Sequence, residues 1–377
     1  MVVRHTERRA GLITLSVCGD VMLGRGVDQI LPHPGDPELR ERYVRDARDY
    51  IGLAEALNGP VPRPVGFAWP WGDALEALGS AAPDARVLNL ETSVTRSGSF
   101  APGKEIHYRM HPANLPCLSA ARPDVCVLAN NHVLDFGRRG LTETLGSLAG
   151  AGIRTAGAGR DAAAASRPAT VPLDGGRRLL VFSFGMPSSG VPQSWAATGS
   201  RGGVGFLAGP PDAAAAEVTG RIREMKRPGD LVVISVHWGS NWGYRLPPDQ
   251  VATAHALVDA GADIVHGHSS HHPRPLEVYR GKLVLYGCGD LINDYEGITG
   301  HAQYRDDLRL LYLPSLEPGT GRLTELRITP LQARRMRLCH PSSDDCRWLR
   351  SLLDRLSEGF RPCSAPDPEG ALTLRAA

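Results

Sequence analysis

Residues that can bind metal or move protons recur along this chain just past the ends of short apolar runs. They are Cys18-Gly19-Asp20, Asn89-Leu90-Glu91, Asn130-Asn131-His132, Val236-His237, His266-Gly267-His268-Ser269-Ser270-His271 and Gly289-Asp290. A random scatter of polar residues would not keep that offset. Short continuous apolar runs bounded by turn residues read as buried strands, and open α/β sheets bind ligands beyond the carboxyl ends of their parallel strands. The pattern predicts an α/β fold in which several strands deliver Asp, Glu, Asn and His to one sheet edge.

The intervening sequence fits this reading. Strands are expected over 12–18, 86–90, 125–129, 230–236 and 263–265, and helices over 71–78, 140–148, 211–225, 248–260 and 344–356. Two hairpins are expected, one around Asp174-Gly175-Gly176 and one around Arg280-Gly281. Late strands follow at 308–313 and 323–328. Residues 28–70 are rich in Pro, Gly and charge without a sustained period, which reads as an insertion able to form a substrate-facing lid. The stretch 186–209 reads as loop.

Composition excludes several function classes. With 377 residues, 42% hydrophobic and 22% charged, the chain can bury an ample core as one large domain with insertions or two smaller ones. A formal charge of +2 supplies no field to recruit nucleic acid or an anionic membrane. Lysine is rare, with only Lys104, Lys226 and Lys282, so the basic residues are nearly all arginine. The seven cysteines form no C-x-x-C pair, which fits a reducing cytoplasm. Residues 1–10 are basic and the apolar run after them is broken by Asp20, so neither a secretion signal nor a membrane anchor is expected.

A divalent cation needs carboxylate, amide oxygen and imidazole from different backbones, because neighbours on one strand point to opposite faces. Asp20, Asn89 or Glu91, Asn131, His132, His237 and His271 are the set that separate strand ends would bring together. Each has a plain structural reading. Asp20 can cap a turn, Asn131 can occupy a left-handed position, His132 can be a core histidine, and Asp135 with Gly137 can start the next helix. Their joint placement at strand ends is what favours a site. Trp238, Trp242 and Tyr244 follow His237 and can either wall an aromatic pocket or fill the core. His255, within a predicted helix, and His107, His111 and His301, in loops, read as structural or solvated.

Five segments together resemble the CapA-type proteins, named for poly-γ-glutamate capsule synthesis, within the calcineurin-like metallophosphoesterase superfamily. They are Gly19-Asp20-Val-Met-Leu-Gly-Arg25, Asn89-Leu-Glu91-Thr, Ala129-Asn-Asn-His132-Val-Leu-Asp135-Phe-Gly137, Val236-His237-Trp-Gly239, and the histidine cluster followed by Glu277-Val-Tyr279. The resemblance implies layered sheets flanked by helices, with the site at the strand carboxyl ends. It implies one such domain over 1–377, with the insertion at about 28–70 and a strand-helix extension at about 305–360. It also carries a metal-ligand set onto Asp20, Asn89, Glu91, Asn131, His237 and His271. Met22 and Ser269 stand where the superfamily would have histidines, and neither a thioether nor a hydroxyl replaces imidazole well. One divalent ion of the calcium, manganese or magnesium type, held directly or through water, is therefore expected rather than two.

The segment Gly287-Cys288-Gly289-Asp290-Leu291 has a carboxylate where typical CapA proteins have an amide, which suits a general base or an Asp orienting a His. The chain resembles most a subgroup that inverts the C-terminal residue of lasso-peptide precursors, with tryptophan the candidate residue. The implied activity is metal-dependent epimerisation by two bases: His132 with Asp20 or Glu91, and His271 or His268 with Asp290. Arg25, Trp238, Trp242 and Tyr244 are the candidate substrate contacts. The implied partners are the precursor peptide and a leader-peptide-binding protein. A metal-dependent phosphoesterase and a non-catalytic capsule poly-γ-glutamate synthesis factor are the rival readings, and a peptide-binding groove with a structural metal is a third.

Overall fold

The computed structural model describes residues 11–360, 364–366 and 372–375. The basic stretch 1–10 and Cys363 lie outside them.

Two sheets form the framework. In the larger, Ile13–Val21 lies parallel to Ala85–Leu90, which is followed outward by the parallel strands Val125–Val127 and Arg154–Ala156. On its other side the antiparallel strands Leu308–Leu316 and Leu323–Ala333 extend the sheet. The smaller sheet runs Leu276–Tyr279, Lys282–Leu285, Ile264–His268, Leu231–His237, Arg178–Gly185 and Ala169–Pro172, and its four middle strands are parallel.

Side-chain alternation shows how the layers stack. Leu15 and Val17 of the first sheet share a core with Val181, Leu231, Val233 and Ile264 of the second, so the two sheets face each other. The intervening residues Val232, Ile234 and Val236 point outward onto the helices Pro211–Met225 and Pro248–Asp259. The other sheet's outer face is covered by Ala74–Ala81, Gly137–Gly150 and the 28–70 segment. This is the expected α/β architecture of layered sheets flanked by helices, and it puts the carboxyl ends of both parallel sets at one end of the molecule.

Local chemistry accounts for most of the predicted elements. Gly175 and Gly176 take φ of 73° and 74°, as the predicted hairpin turn needs. The last α-helix among the described residues, Ser343–Leu356, starts at a capping box formed by Ser342 and Asp345. The segment 28–70 contains a helix, Asp49–Asn58, that its composition concealed. Its Leu39, Glu41, Tyr50 and Ile51 are buried, so it is docked on the core. A short strand missed by sequence, Asp290–Ile292, lies parallel to the first strand and sets Asp290 opposite Asp20.

Candidate metal centre

Asp20, Asn89, Glu91, His132, His237, His268, His271 and Asp290 are all buried, and they converge between the two sets of parallel strands. The convergence depends on close backbone approach. A Cβ on Gly19 would sit 1.6 Å from the Gly289 carbonyl oxygen, so only glycine lets the first strand meet the turn that carries Asp290.

Asp20 is the hub. Its Oδ1 accepts a hydrogen bond from Asn89 Nδ2 at 2.7 Å and its Oδ2 accepts one from the Ser269 backbone N–H at 3.2 Å. It belongs to two triads whose donor atoms lie within 4.8 Å of one another: Asp20, His237 and His268, and Asp20, His271 and Asp290. Glu91 Oε1 stands 3.7 Å from His237 Nε2 and 3.8 Å from His132 Nε2. Burial, and after it repulsion from Asp290, pushes the Asp20 carboxyl up to about 7. Burial and the neighbouring Asp20 raise that of Glu91 as well. A cation among these carboxylates would offset both the desolvation and the repulsion.

A hydrogen-bond chain fixes the imidazoles. The Cys18 carbonyl can only accept, so His266 Nε2, at 2.8 Å, donates to it. Burial holds His266, His268 and His237 neutral. His266 Nδ1 therefore accepts from the Ser235 hydroxyl at 3.1 Å, and Ser235 Oγ accepts from His268 Nε2 at 2.8 Å. His268 Nδ1 then accepts from His237 Nδ1 at 2.8 Å, which leaves the His237 Nε2 lone pair bare. That lone pair faces the Asn131 side-chain amide at 3.1 Å, where it and the amide oxygen can share a cation. The donor set fits a divalent metal with mixed nitrogen and oxygen ligands.

Two histidine-aspartate pairs flank this centre. His132 Nδ1 lies 2.6 Å from Asp135 Oδ2, which turns Nε2 toward Glu91 and the pocket. Burial lowers the His132 imidazole to about 4, with Asp135 acting against it. Lys104 ties Asp135 and the Asn131 carbonyl together. On the other side His271 Nδ1 lies 3.0 Å from Asp290 Oδ1. Burial opposes charge on His271, but Asp290 outweighs it and raises the imidazole's pKa.

Several expected roles change. The hydrogen bond that holds the His132 ring comes from Asp135, which the sequence offered only as a helix start, while the expected partner Glu91 stands 3.8 Å from its other nitrogen. Asn89 is no free ligand: its amide nitrogen holds Asp20 and Glu91 and its oxygen accepts from Asn130 Nδ2. Arg25 is buried between Asp294 and Glu41 with Tyr50, so its charge is neutralised within the protein and not offered to substrate. Trp238 is core, because His237 faces the pocket and its strand neighbour must face away; its Nε1 donates to the Tyr286 carbonyl. Trp242 does reach the site, 5.2 Å from the His271 ring and stacked on His301 at 3.7 Å, and Tyr244 packs on His272 behind it. Ser269 serves Asp20 through its backbone at φ of 105°, and Met22 is wholly buried. His255 pairs with Glu277, a structural role. The i,i+3 spacing of His132 and Asp135, and a lysine at 104 in an arginine-dominated chain, were the signals that could have found that pair.

Residues 14–295 match the family model for the bacterial capsule synthesis protein PGA_cap. A probable polyglutamine synthesis accessory protein of Mycobacterium tuberculosis strain H37Rv is 54% identical over 359 residues, covering 94% of each chain. The PGA biosynthesis protein CapA of Bacillus subtilis is 27% identical over 85% of this chain and 71% of its own length. The capsule biosynthesis protein CapA of Bacillus anthracis is 25% identical over 78% of this chain and 62% of its own length.

Proposed function

The chain belongs to the bacterial capsule synthesis protein family PGA_cap, and from that footing we propose that it is an accessory protein of glutamyl-polymer synthesis whose buried centre hydrolyses a glutamyl amide with a divalent metal. The relatives' names give polyglutamine synthesis and PGA biosynthesis, and the γ-linkage follows the resemblance to the CapA-type proteins. The observation that carries the chemistry is Asp20, buried with Glu91, Asp290 and the bare Nε2 of His237 between two histidine-aspartate pairs. The bound metal would supply Lewis-acid activation of a carbonyl and of water. His237, Asn131, Glu91, Asp20 and Asp290 would hold it. His132, neutral at working pH and aimed by Asp135, takes or returns a proton at Nε2, and the His271–Asp290 pair does so from the other side.

The two flanking pairs also favour a second reading: the metal-dependent two-base epimerisation of a peptide's terminal residue, with a precursor peptide and a leader-peptide-binding protein as partners. One experiment separates the readings. The manganese-loaded protein is incubated with tri-γ-glutamate, and with a lasso-type precursor peptide, in deuterium oxide, and products are weighed by mass spectrometry. Shortening of tri-γ-glutamate, abolished in His132→Ala, is the expected result. Deuterium uptake without cleavage would replace hydrolysis by epimerisation, and neither change would leave a non-catalytic synthesis factor.

A further inference from the structure

The buried His271 ring is engaged at both nitrogens, and the two partners differ in kind. Nδ1 lies 3.0 Å from the buried Asp290 carboxylate, whereas Nε2 lies 3.0 Å from the side-chain nitrogen of Asn241, an exposed residue. The Tyr295 hydroxyl stands farther from the same nitrogen, at 3.5 Å. On the opposite flank His132 turns its Nε2 to Glu91 at 3.8 Å. The nitrogen through which His271 would exchange a proton is thus covered by a side chain that faces solvent.

The backbone that carries this cover is clamped. The Asn241 carbonyl accepts from the His271 backbone N–H at 3.0 Å, and the Ser240 carbonyl accepts from Arg274 at 2.7 Å. The Gly239 N–H donates to Ser188 Oγ at 3.0 Å, and Trp242 stacks on His301 at 3.7 Å. What can leave Nε2 without dismantling these contacts is the Asn241 side chain, by rotation about its own bonds. Exposed side chains change rotamer in picoseconds to nanoseconds, so the movement is no barrier to turnover. A carboxamide also suits the nitrogen in either protonation state. It offers an N–H to a bare lone pair, and its oxygen to a ring N–H once the amide turns over.

We propose that Asn241 is a positioning residue that caps His271: its carboxamide holds the ring and occupies Nε2 until the amide of a substrate displaces it. The proton-transfer role of His271 rests on the hydrolytic reading above, whereas the cap itself does not. In that reaction the C–N bond breaks, the nitrogen keeps the electron pair and takes the proton from Nε2, and Nε2 is left with a lone pair facing the new N–H. Asn241 presents an amide nitrogen to Nε2 in the same way. It therefore marks the place of the leaving nitrogen and assigns His271, rather than His132, to it.

Diethyl pyrocarbonate, which acylates an accessible uncharged imidazole nitrogen, tests the cap on the full-length protein without requiring turnover. The modified histidines are followed in time by peptide mass spectrometry. His271 is expected to react at least about fivefold faster in Asn241→Ala than in wild type, the change that losing one hydrogen bond brings. His132 is expected to keep its wild-type rate. Asn241→Leu retains the bulk of the side chain and removes the bond, and should expose His271 as alanine does. Equal His271 rates in wild type and Asn241→Ala, full protection by leucine, or a rise at His132 as large as that at His271 would overturn the cap. Faster His271 modification in both variants of a protein that cleaves no tri-γ-glutamate would leave the cap standing and remove only the hydrolytic reading.

Discussion

Asp20 concentrates the electrostatic cost of the centre. It is faced by Glu91, Asp290, His268 and His271 and held by Asn89 and the Ser269 backbone. Its raised carboxyl pKa makes protonation stabilising in the metal-free fold. That contribution is fully present below the unfolded carboxyl's pKa and is lost as pH rises through about 7. Metal-free protein should therefore melt progressively lower between pH of about 5 and about 8, and manganese should restore the loss with an affinity that rises over the same span. A flat melting profile in chelator would contradict the assignment. His132 has the opposite poise, since burial keeps it neutral. Asp135→Asn should cut turnover about 10²–10⁴-fold by freeing the ring's orientation while manganese affinity stays at the wild-type value. Equal loss of metal would move Asp135 into the ligand shell.

At the scale of strands and turns, the closest tolerance is where Gly19 passes Gly289. Gly19→Ala should destabilise the protein by about 3 kcal/mol or more, read by denaturant unfolding, because the obstructing atom is backbone and cannot rotate aside. Full stability in that variant would show that the strand and the Asp290 turn can separate. Strand ends were legible because an apolar run followed by Asp or His is a local signal, and so Asp20, His132, His237, His268, His271 and Asp290 were found. What was illegible is what only three-dimensional pairing decides. Asp135 looked like a helix start until His132 turned back onto it. Asn89 looked like a ligand until Asn130 took its oxygen. Trp238 looked like a pocket wall, although its position after His237 on one strand already put it on the outer face. Arg309, inside a plain apolar strand, gave no sign that its guanidinium is buried and bonded to Asn293.

For the molecule as a whole, Arg25 joins parts of the chain that are distant in sequence. Its guanidinium bonds Asp294, near the Asp290 strand, and Glu41 and Tyr50 of the 28–70 segment, and it lies 3.8 Å from the Tyr50 ring centroid. Arg25→Met would leave two buried carboxylates unpaired, at a cost of about 3–5 kcal/mol. The variant should be cleaved within 28–70 by dilute protease before any other site, and cleavage elsewhere first would deny that this contact holds the segment down. The segment is thus fastened over one outer face, while both sheets turn their carboxyl ends to a common edge. Among the described residues no helix is long and apolar enough to cross a membrane. The account depends on that edge holding a divalent cation through Asp20. Manganese bound after dialysis, counted by elemental analysis on wild type and Asp20→Asn, tests it most directly. Wild type should retain metal and the folded variant should lose it. A metal-free wild type, or a variant that keeps its full complement, would contradict the account.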